Sequence, residues 1–336
     1  MDKLGRANQH LIDIGYATRT YTNIVLVAEA LERNLEVKST PSGRSIEVRH
    51  QGRSRYWKGG TNNHNTRLAK QIVHFKDVCN RHLRNHGVNA PENAVFGSPE
   101  VERAWNWAHP LAELVVKPHN GIQGRNVHVG IETYDEFETA FNNVARSRGR
   151  VLVEQFRAGI EHRCLVVDNA VVAVTARRPA SILGDGQSTI AELVGSKNEN
   201  RGRIHTQLEL GATELQVLNK SEYQPQSVPP EGERVYLRLT SNIHTGGDAL
   251  DATDELAPEE QEMIERAARS IPGLRIAGFD VLLPREDQEE DARASILEIN
   301  ANPMISMHHF PWEGTPRDVA GAVLDSMFPK SKTPRR

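Results

Sequence analysis

The sequence predicts an α+β fold, in which helices are interspersed with antiparallel β-hairpins. Residues 163–167 and 170–175 are apolar segments separated by Asp168-Asn169, a dipeptide typical of tight hairpin turns. Apolar residues in the segment 134–146 recur with the spacing of an amphipathic helix. Hydrophobic residues make up 38% of the 336 residues, so the chain can bury a substantial core and is not predicted to be disordered.

The charge balance and the cysteine content exclude several classes of protein. The 41 Lys and Arg residues oppose 44 Asp and Glu residues, for a net charge of −3, so nucleic acid is not an expected partner. Cys79 and Cys164 have neither the spacing of a zinc site nor the number that a disulfide framework needs. The sequence has no signal-peptide pattern and no apolar run of about 18 residues. These features predict a soluble, cytoplasmic protein with no membrane partner.

Residues 1–65 are predicted to form a small N-terminal α/β domain. An apolar stretch at 24–31 ends in charged residues, as a helix does, and two alternating segments at 35–38 and 45–49 follow around a Pro-Ser-Gly turn. A polar stretch without periodicity, residues 59–65, then separates this domain from the rest of the chain. We therefore predict a domain boundary at residue 65.

Residues 66–153 and 154–328 are predicted to form two further lobes. The patterns predict the following elements: helices over 75–86, 134–146, 258–270 and 316–328, a short capped helix from Thr189, and strands over 114–118, 127–130, 151–154, 163–167, 170–175, 275–283 and 294–300. The segment 197–233 contains three prolines and is predicted to be an irregular, mobile insertion. Residues 329–336 are predicted to be a frayed basic tail.

Three oxygen donors are predicted to converge on two neighbouring strands. Glu298 and Asn300 are two residues apart in a strand and therefore share a face. If the charged segment 285–293 is a hairpin loop centred near residue 289, antiparallel pairing sets Asp280 opposite Glu298. Two unpaired carboxylates among apolar residues would repel each other, and Mg²⁺, which prefers oxygen ligands, would remove this conflict. The alternative is that the three side chains are exposed on a half-solvated sheet.

A glycine-containing loop follows the strand that ends near Lys117. Lysine is suited to binding phosphate, and Gly121 and Gly124 would let backbone amides approach phosphate oxygens. The pattern matches neither the Walker motif nor the dinucleotide fingerprint, and an ordinary turn is the alternative.

An apolar strand ends in carboxylates at Glu154 and Glu161, with Phe156 between them. An apolar slot with a few polar groups at its mouth suits a purine and a ribose. The alternative is an accidental pattern at the edge of a sheet.

Read together, these motifs resemble the ATP-grasp superfamily, and most of all the ATP-grasp module that cyanophycin synthetase and the bifunctional glutathione synthetases share. The resemblance implies two α+β lobes that clasp ATP, next to the small N-terminal domain. The blocks that carry it keep their order and approximate spacing between about residue 70 and residue 328, and they are residues 116–121, 151–163, 176–179, 184–190, 236–247, 278–280 and 296–303.

The resemblance also implies roles for individual residues. It implies that ATP is bound by Lys76, Lys117, Gly121 and Gly124 at the phosphates, by Glu154 and the backbone near Phe156 at the adenine, and by Glu161 at the ribose. It implies that Mg²⁺, or Mn²⁺ as an alternative ion, is held by Asp280, Glu298 and Asn300. On the substrate side it implies Arg178 and Arg238 against the transferred phosphoryl group and the substrate carboxylate, and a loop that contains Asn242, Gly246 and Gly247.

The activity that the resemblance implies is that of an ADP-forming ligase. ATP would phosphorylate a carboxylate, and an amine would attack the acyl phosphate to give an amide, without a protein nucleophile. The chain lacks the additional ligase modules of the named enzymes, so we expect a stand-alone ligase for one small carboxylate, such as an amino acid or a γ-glutamyl compound, and one amine. By analogy, we expect a homodimer or homotetramer. The alternatives are a nucleotide-binding module without ligase activity and a phosphotransferase on the same fold.

Overall fold

The N-terminal segment pairs two helices with a small antiparallel sheet in the computed structural model, which describes residues 1–119, 126–284 and 293–331. The elements are α1 (Lys3–Asp13), α2 (Tyr21–Glu32), β1 (Glu36–Ser39), β2 (Ile46–His50), β3 (Arg53–Lys58) and β4 (Thr61–Asn62). The strands pair in the order β1-β2-β3-β4. Helix α2 is apolar along most of its length and almost wholly buried, so the predicted helix and the hairpin that follows it are both confirmed.

The second sheet packs one face against helices and carries two charged side chains among apolar residues on the other. The elements that follow β4 are α3 (Arg67–His74), α4 (Lys76–Asn85), β5 (Asn93–Gly97), α5 (Val101–Ala108), β6 (Leu114–Pro118), β7 (His128–Ile131), α6 (Tyr134–Arg148) and β8 (Arg150–Gln155). The antiparallel sheet has the order β5-β8-β6-β7. Val116, Val151 and Val153 pack with α5 and α6, whereas the alternate positions Lys117 and Glu154 lie on the other face. This second face forms one wall of the candidate site.

The third sheet has five antiparallel strands, in the order β13-β10-β9-β14-β15. Its hairpin β9–β10 turns at Asp168 and Asn169, which have φ values of 48° and 68°, so the predicted tight turn is confirmed. None of the helices in the described ranges is long and apolar enough to cross a membrane. The remaining elements are β9 (Ile160–Val167), β10 (Ala170–Arg178), β11 (Ser181–Leu183), α7 (Ile190–Glu199), α8 (Ala212–Lys220), β12 (Arg234–Tyr236), β13 (Asp248–Asp251), α9 (Pro258–Ser270), β14 (Ile276–Leu283), β15 (Ser295–Asn300), α10 (Ser306–His309) and α11 (Val319–Met327).

The five-stranded sheet is packed on both faces. Cys164, Val174 and Phe279 on one face pack against residues of α3, α4 and α9. On the other face, Leu165 and Ala173 share a core with the N-terminal helices and α11. The same face carries charged residues at the opposite end of the strands, because the antiparallel register brings the start of β9 beside the ends of β10 and β14. The predicted domain boundaries at residues 65, 153 and 328 stay predictions.

The segment 197–233 contains helix α8 and contributes to a core of its own. Leu208 and Leu218 are buried with Val194 of α7 and Val235 of β12. The prediction of a wholly irregular insertion is therefore wrong, because its three prolines all follow α8 and leave the apolar spacing of that helix intact. The predicted capping box at Thr189 is confirmed and begins α7.

Two buried histidines and one half-buried histidine make the stability of the protein sensitive to acid. Burial is the largest cause that lowers the pKa of His308 to about 3 and those of His205 and His309 to about 4, from an ordinary value of 6.5. Nδ1 of His308 lies 2.8 Å from Oγ1 of Thr175, in the contact between α10 and β10. These imidazoles stay neutral in the folded chain and take up protons once it unfolds, so the unfolded state binds more protons below about pH 6.5.

We therefore expect the free energy of unfolding to fall as the pH decreases from about 6.5 towards 4, by up to about 1.4 kcal/mol per pH unit for each histidine. Urea unfolding followed by circular dichroism across this range checks the slope. The variant His308→Gln lacks one of the three titrations and is expected to show a shallower slope. A variant slope equal to that of the wild type would contradict this account of His308.

Candidate active site

The predicted pairing of the two acidic strand residues is confirmed. In the β14–β15 hairpin, Asp280 stands opposite Glu298 and Gly278 stands opposite Asn300, and a register shift follows Asp280. The centre of this hairpin lies outside the described residues. Nδ2 of Asn300 is 3.4 Å from Oδ2 of Asp280, so the predicted donors gather at the charged end of the sheet.

Two arginines that the sequence analysis did not assign complete this cluster. Arg163 on β9 donates from Nε to Oδ1 of Asp280 at 2.5 Å and from Nη2 to Oδ2 at 3.0 Å. Nη2 of Arg177 on β10 lies 3.5 Å from Oδ1 of Asp280, and its Nη1 donates to Glu161 at 2.5 Å. Strand alternation indicates only that Arg163 shares the face of Glu161, because it lies two positions later on β9.

Lys76 joins the first turn of α4 to strand β15. Its Nζ is 2.9 Å from Oε2 of Glu298. One turn later in the same helix, burial and the charge of Glu298 raise the pKa of Cys79 to about 12, so the thiol does not ionise near neutral pH.

Lys117 and Glu154 meet on that second face of the four-stranded sheet. Lys117 donates from Nζ to Oε1 of Glu154 at 2.6 Å. The other carboxylate oxygen, Oε2, is buried and has no hydrogen-bond partner among the described residues. Asn93 stands opposite Glu154 in the register, and its side-chain oxygen and nitrogen are likewise buried without a hydrogen-bond partner among those residues. Buried polar atoms without partners mark a place where a polar ligand can bind. Gly121 and Gly124 lie outside the described residues.

Glu161 on β9 accepts hydrogen bonds from two donors. Besides Arg177, the hydroxyl of Ser241 donates to its Oε2. Phe156 is half-buried, and its backbone N–H donates to the carbonyl of Glu113 at 2.9 Å. That N–H is therefore engaged within the protein, which weakens the expectation that the backbone of Phe156 contacts a base.

The structure does not bring Arg178 and Arg238 to strand β15. Arg178 follows Arg177 on β10 and therefore points to the opposite face, where Nη1 donates to Glu313 at 2.8 Å. Nε of Arg238 donates to Glu214 of α8 at 2.5 Å. The arginine beside Asp280 is thus Arg177, and the role of Arg178 at the transferred phosphoryl group stays a prediction.

Asn242 begins a tight loop that ends at two glycines. Its Oδ1 accepts from the N–H of His244 at 2.9 Å, and its carbonyl accepts from the N–H of Gly247 at 3.0 Å. A Cβ atom on Gly247 would lie 2.9 Å from the carbonyl oxygen of Asn242 and 3.0 Å from that of Arg178. The close approach of these three backbone segments explains the glycine and holds the loop against the end of β10.

Known proteins resemble this chain along most of its length. A solved structure of a bifunctional glutathione synthetase from Pasteurella multocida superposes with a TM-score of 0.72 at 25% identity, over 92% of this chain and 43% of that one. This likeness confirms the predicted fold class. The chain has the ATP-grasp fold.

Curated relatives extend the ATP-grasp comparison. Cyanophycin synthetase of Trichormus variabilis is 39% identical over 278 residues, which cover 80% of this chain and 30% of that protein. The bifunctional glutathione biosynthesis protein of Streptococcus thermophilus is 31% identical over 332 residues, which cover 94% of this chain and 44% of that protein. This ATP-grasp chain is thus homologous to part of each relative and spans less than half of either. No family model matches the chain.

The donor set at the charged end of the ATP-grasp sheet fits a magnesium ion. Asp280, Glu298 and Asn300 offer two carboxylates and an amide, whose oxygen can be presented by a flip of the side chain. Because Arg163 contacts both oxygens of Asp280, an ion would share that carboxylate with Arg163. Among the described residues, no three His, Cys, Asp or Glu side chains form a group that could hold a metal ion. This donor set has only two such side chains, Asp280 and Glu298, and its third donor is the amide of Asn300.

Proposed function

We propose that this chain is an ATP- and Mg²⁺-dependent carboxylate-amine ligase that joins a small carboxylate or amino acid to an amine. The observation that carries the proposal is the paired carboxylates Asp280 and Glu298, surrounded by the cations of Lys76, Arg163 and Arg177. Carboxylates for a dication, with cations for phosphate oxygens beside them, suit the magnesium complex of a nucleoside triphosphate. The relatives, whose names are those of cyanophycin and glutathione biosynthesis proteins, support amide synthesis as the reaction class.

The reaction needs positioning and charge neutralisation rather than covalent chemistry by the protein. A carboxylate oxygen of the acid attacks the γ-phosphorus of ATP, the bond from that phosphorus to the bridging oxygen breaks, and ADP leaves. The amine nitrogen then attacks the carbonyl carbon of the acyl phosphate, phosphate leaves, and the nitrogen loses a proton. Excluding water and holding these groups in line supplies most of the acceleration.

Each charged residue has a defined part in this proposal. Lys76 and Lys117 exchange their carboxylate partners for phosphate oxygens, and Arg177 neutralises the transferred phosphoryl group. Arg163 acts as a positioning residue, because its two hydrogen bonds orient Asp280. When held by Asp280, Glu298 and Asn300, Mg²⁺ would supply Lewis-acid neutralisation of the phosphate charge.

Nucleotide and substrate contacts complete the proposed site. The buried, unpartnered Oε2 of Glu154 would accept a hydrogen bond from the adenine, and Glu161 would contact the ribose. We assign Arg238 and Asn242 to the acid substrate, since Asn242 begins the loop that ends at Gly247 and Arg238 precedes it by four residues.

Magnesium-dependent ADP release, measured with amino acids and γ-glutamyl compounds singly and in pairs, tests this function. We expect ADP only when one acid and one amine are both present, together with a product lighter than their sum by one water. ADP release with an acid alone, together with a stable phosphorylated acid, would instead identify a phosphotransferase. Tight ATP binding without ADP release from any pair would contradict the ligase proposal and favour a binding module.

A further inference from the structure

A cavity of about 230 Å³ lies outside the candidate ATP site, beside the β11–β12 hairpin. Leu183 and Arg234 line its hairpin side, and because they are partners in the register, their side chains leave the hairpin on the same face. Trp312 and Glu313, from the segment that follows α10, form the facing wall, and Lys197 of α7 also lines the cavity. The space is large enough for an amino acid and too small for a nucleotide.

The cations behind this cavity are only partly neutralised. Asp248 is fully buried and is paired with both Lys197 and Arg201, each at 2.6 Å, so one carboxylate serves two cations. Burial is the largest cause that lowers the pKa of Lys197, and the charges of Arg201 and Arg234 lower that pKa further. The wall therefore carries excess positive charge.

Arg234 is the cation at the cavity that an incoming anion can pair with. Among the described residues its guanidinium has no carboxylate partner, and its hydrogen bond to Oγ of Ser181 is long, at 3.4 Å. Glu313 is already paired with Arg178 at 2.8 Å, and its side chain is 53% exposed. An anionic group fits at Arg234, whereas a second negative charge near Glu313 would be repelled.

The remaining walls of the cavity suit a substrate rather than a structural ion. Leu183 and the indole of Trp312 offer apolar contact to a side chain. The cavity lies near the end of β10, where Arg178 contacts its wall at Glu313 and the preceding residue, Arg177, contacts Asp280 from the other face of the strand.

From this geometry we infer that the cavity binds the free carboxylate of an amino-acid substrate, or of the C-terminal residue of a short peptide, on Arg234. The side chain of that substrate packs on Trp312 and Leu183. Neutral and basic amino acids are preferred over acidic ones, since Glu313 repels a second carboxylate. The inference rests on the proposed ligase function, and it adds the class of one substrate.

Steady-state kinetics with two cavity variants and one control test the inference. Arg234→Ala removes the cation, Leu183→Trp fills the cavity from an exposed position, and Lys220→Ala removes a cation from the exposed end of α8 as the control. We expect both cavity variants to raise the KM for the amino acid at least about tenfold, because a hydrogen bond to a charged group is worth about that factor or more. The KM for ATP and all constants of the control stay unchanged.

A comparison with amines that lack the carboxylate tests the contact between the substrate carboxylate and Arg234. Each L-amino acid is compared with the amine that its decarboxylation would give, in the wild type and in Arg234→Ala. We expect loss of the carboxylate to weaken use by the wild type at least about tenfold and to have little further effect in the variant. If loss of the carboxylate weakens substrate use equally in the wild type and in Arg234→Ala, the inference is overturned. A preference for acidic amino acids would also overturn it.

Calorimetric titration of the same amino acids separates failure of the inference from failure of the proposed function. If ADP release depends on an amino acid but neither cavity variant changes its KM, the inference is overturned and the ligase function stands. If no acid-amine pair releases ADP, the ligase function fails. In that case, amino-acid binding that Arg234→Ala abolishes would still support the cavity, and absence of binding would overturn it.

Discussion

Replacing Glu298 with Gln is expected to lower the rate of ADP formation at saturating ATP by about a hundredfold or more, because the substitution removes a negative charge from the proposed metal site. Glu298 stands opposite Asp280 and lies 2.9 Å from Lys76. The amide keeps the shape of the side chain but binds a dication more weakly and no longer balances the lysine. Initial rates measured over a range of Mg²⁺ concentrations check this expectation, and the apparent affinity for Mg²⁺ should fall together with the rate.

A matched control separates this effect from a general loss of structure. Glu262 lies on the exposed side of α9, and its side chain is 59% exposed in an ion pair with Arg269. Glu262→Gln makes the same chemical change away from the site and should leave the rate unchanged. Wild-type turnover by Glu298→Gln, with an unchanged melting temperature, would contradict the proposed metal site and the ligase function built on it.

Replacing Asp248 with Asn is expected to lower the free energy of unfolding by about 3–5 kcal/mol, the range typical of breaking a buried ion pair. Asp248 and Arg201 have fully buried side chains, and Lys197 shares the same carboxylate. Without the carboxylate, two neighbouring cations remain in a region that is shielded from water. Urea unfolding followed by circular dichroism measures the change.

The control for this prediction is an exposed ion pair. Asp254 contacts Arg317 at 2.6 Å, but its side chain is 82% exposed. Asp254→Asn is expected to change the free energy of unfolding by less than about 1 kcal/mol, because water screens such pairs. Equal effects of the two variants would show that burial does not set the strength of the Asp248 cluster.

Local sequence patterns were sufficient to predict the main helices and strands and the pairing of Asp280 with Glu298. Apolar spacing predicted α2 and α6, and the turn dipeptide predicted the β9–β10 hairpin. The register of Asp280 against Glu298 followed from hairpin symmetry alone, because residues equidistant from the centre of an antiparallel loop are paired. The helix α8 was missed because the prolines that follow it dominated the interpretation of the whole insertion.

Pairings between distant segments could not be predicted in the same way. Lys76 reaches Glu298 across more than two hundred positions of sequence. Lys117 on β6 reaches Glu154 on β8, the neighbouring strand of the four-stranded sheet, across 37 positions of sequence. No local periodicity encodes which of many acidic residues each lysine will meet. The choice between Arg177 and Arg178 is partly predictable from sequence. Strand alternation places the two side chains on different faces once the ends of the strand are known.

The sequence by itself determined the α+β class, the order of the main helices and strands, the likeness to ATP-grasp proteins and the pairing of Asp280 with Glu298, because these depend on local spacing and on motifs. Only the tertiary structure decided that Arg163 and Arg177 surround Asp280, that Arg178 faces away, and that the Asp248 cluster backs a separate cavity. Those arrangements depend on how the strands pair and which faces the helices cover. Interactions across long sequence separations, rather than local preferences, fix them.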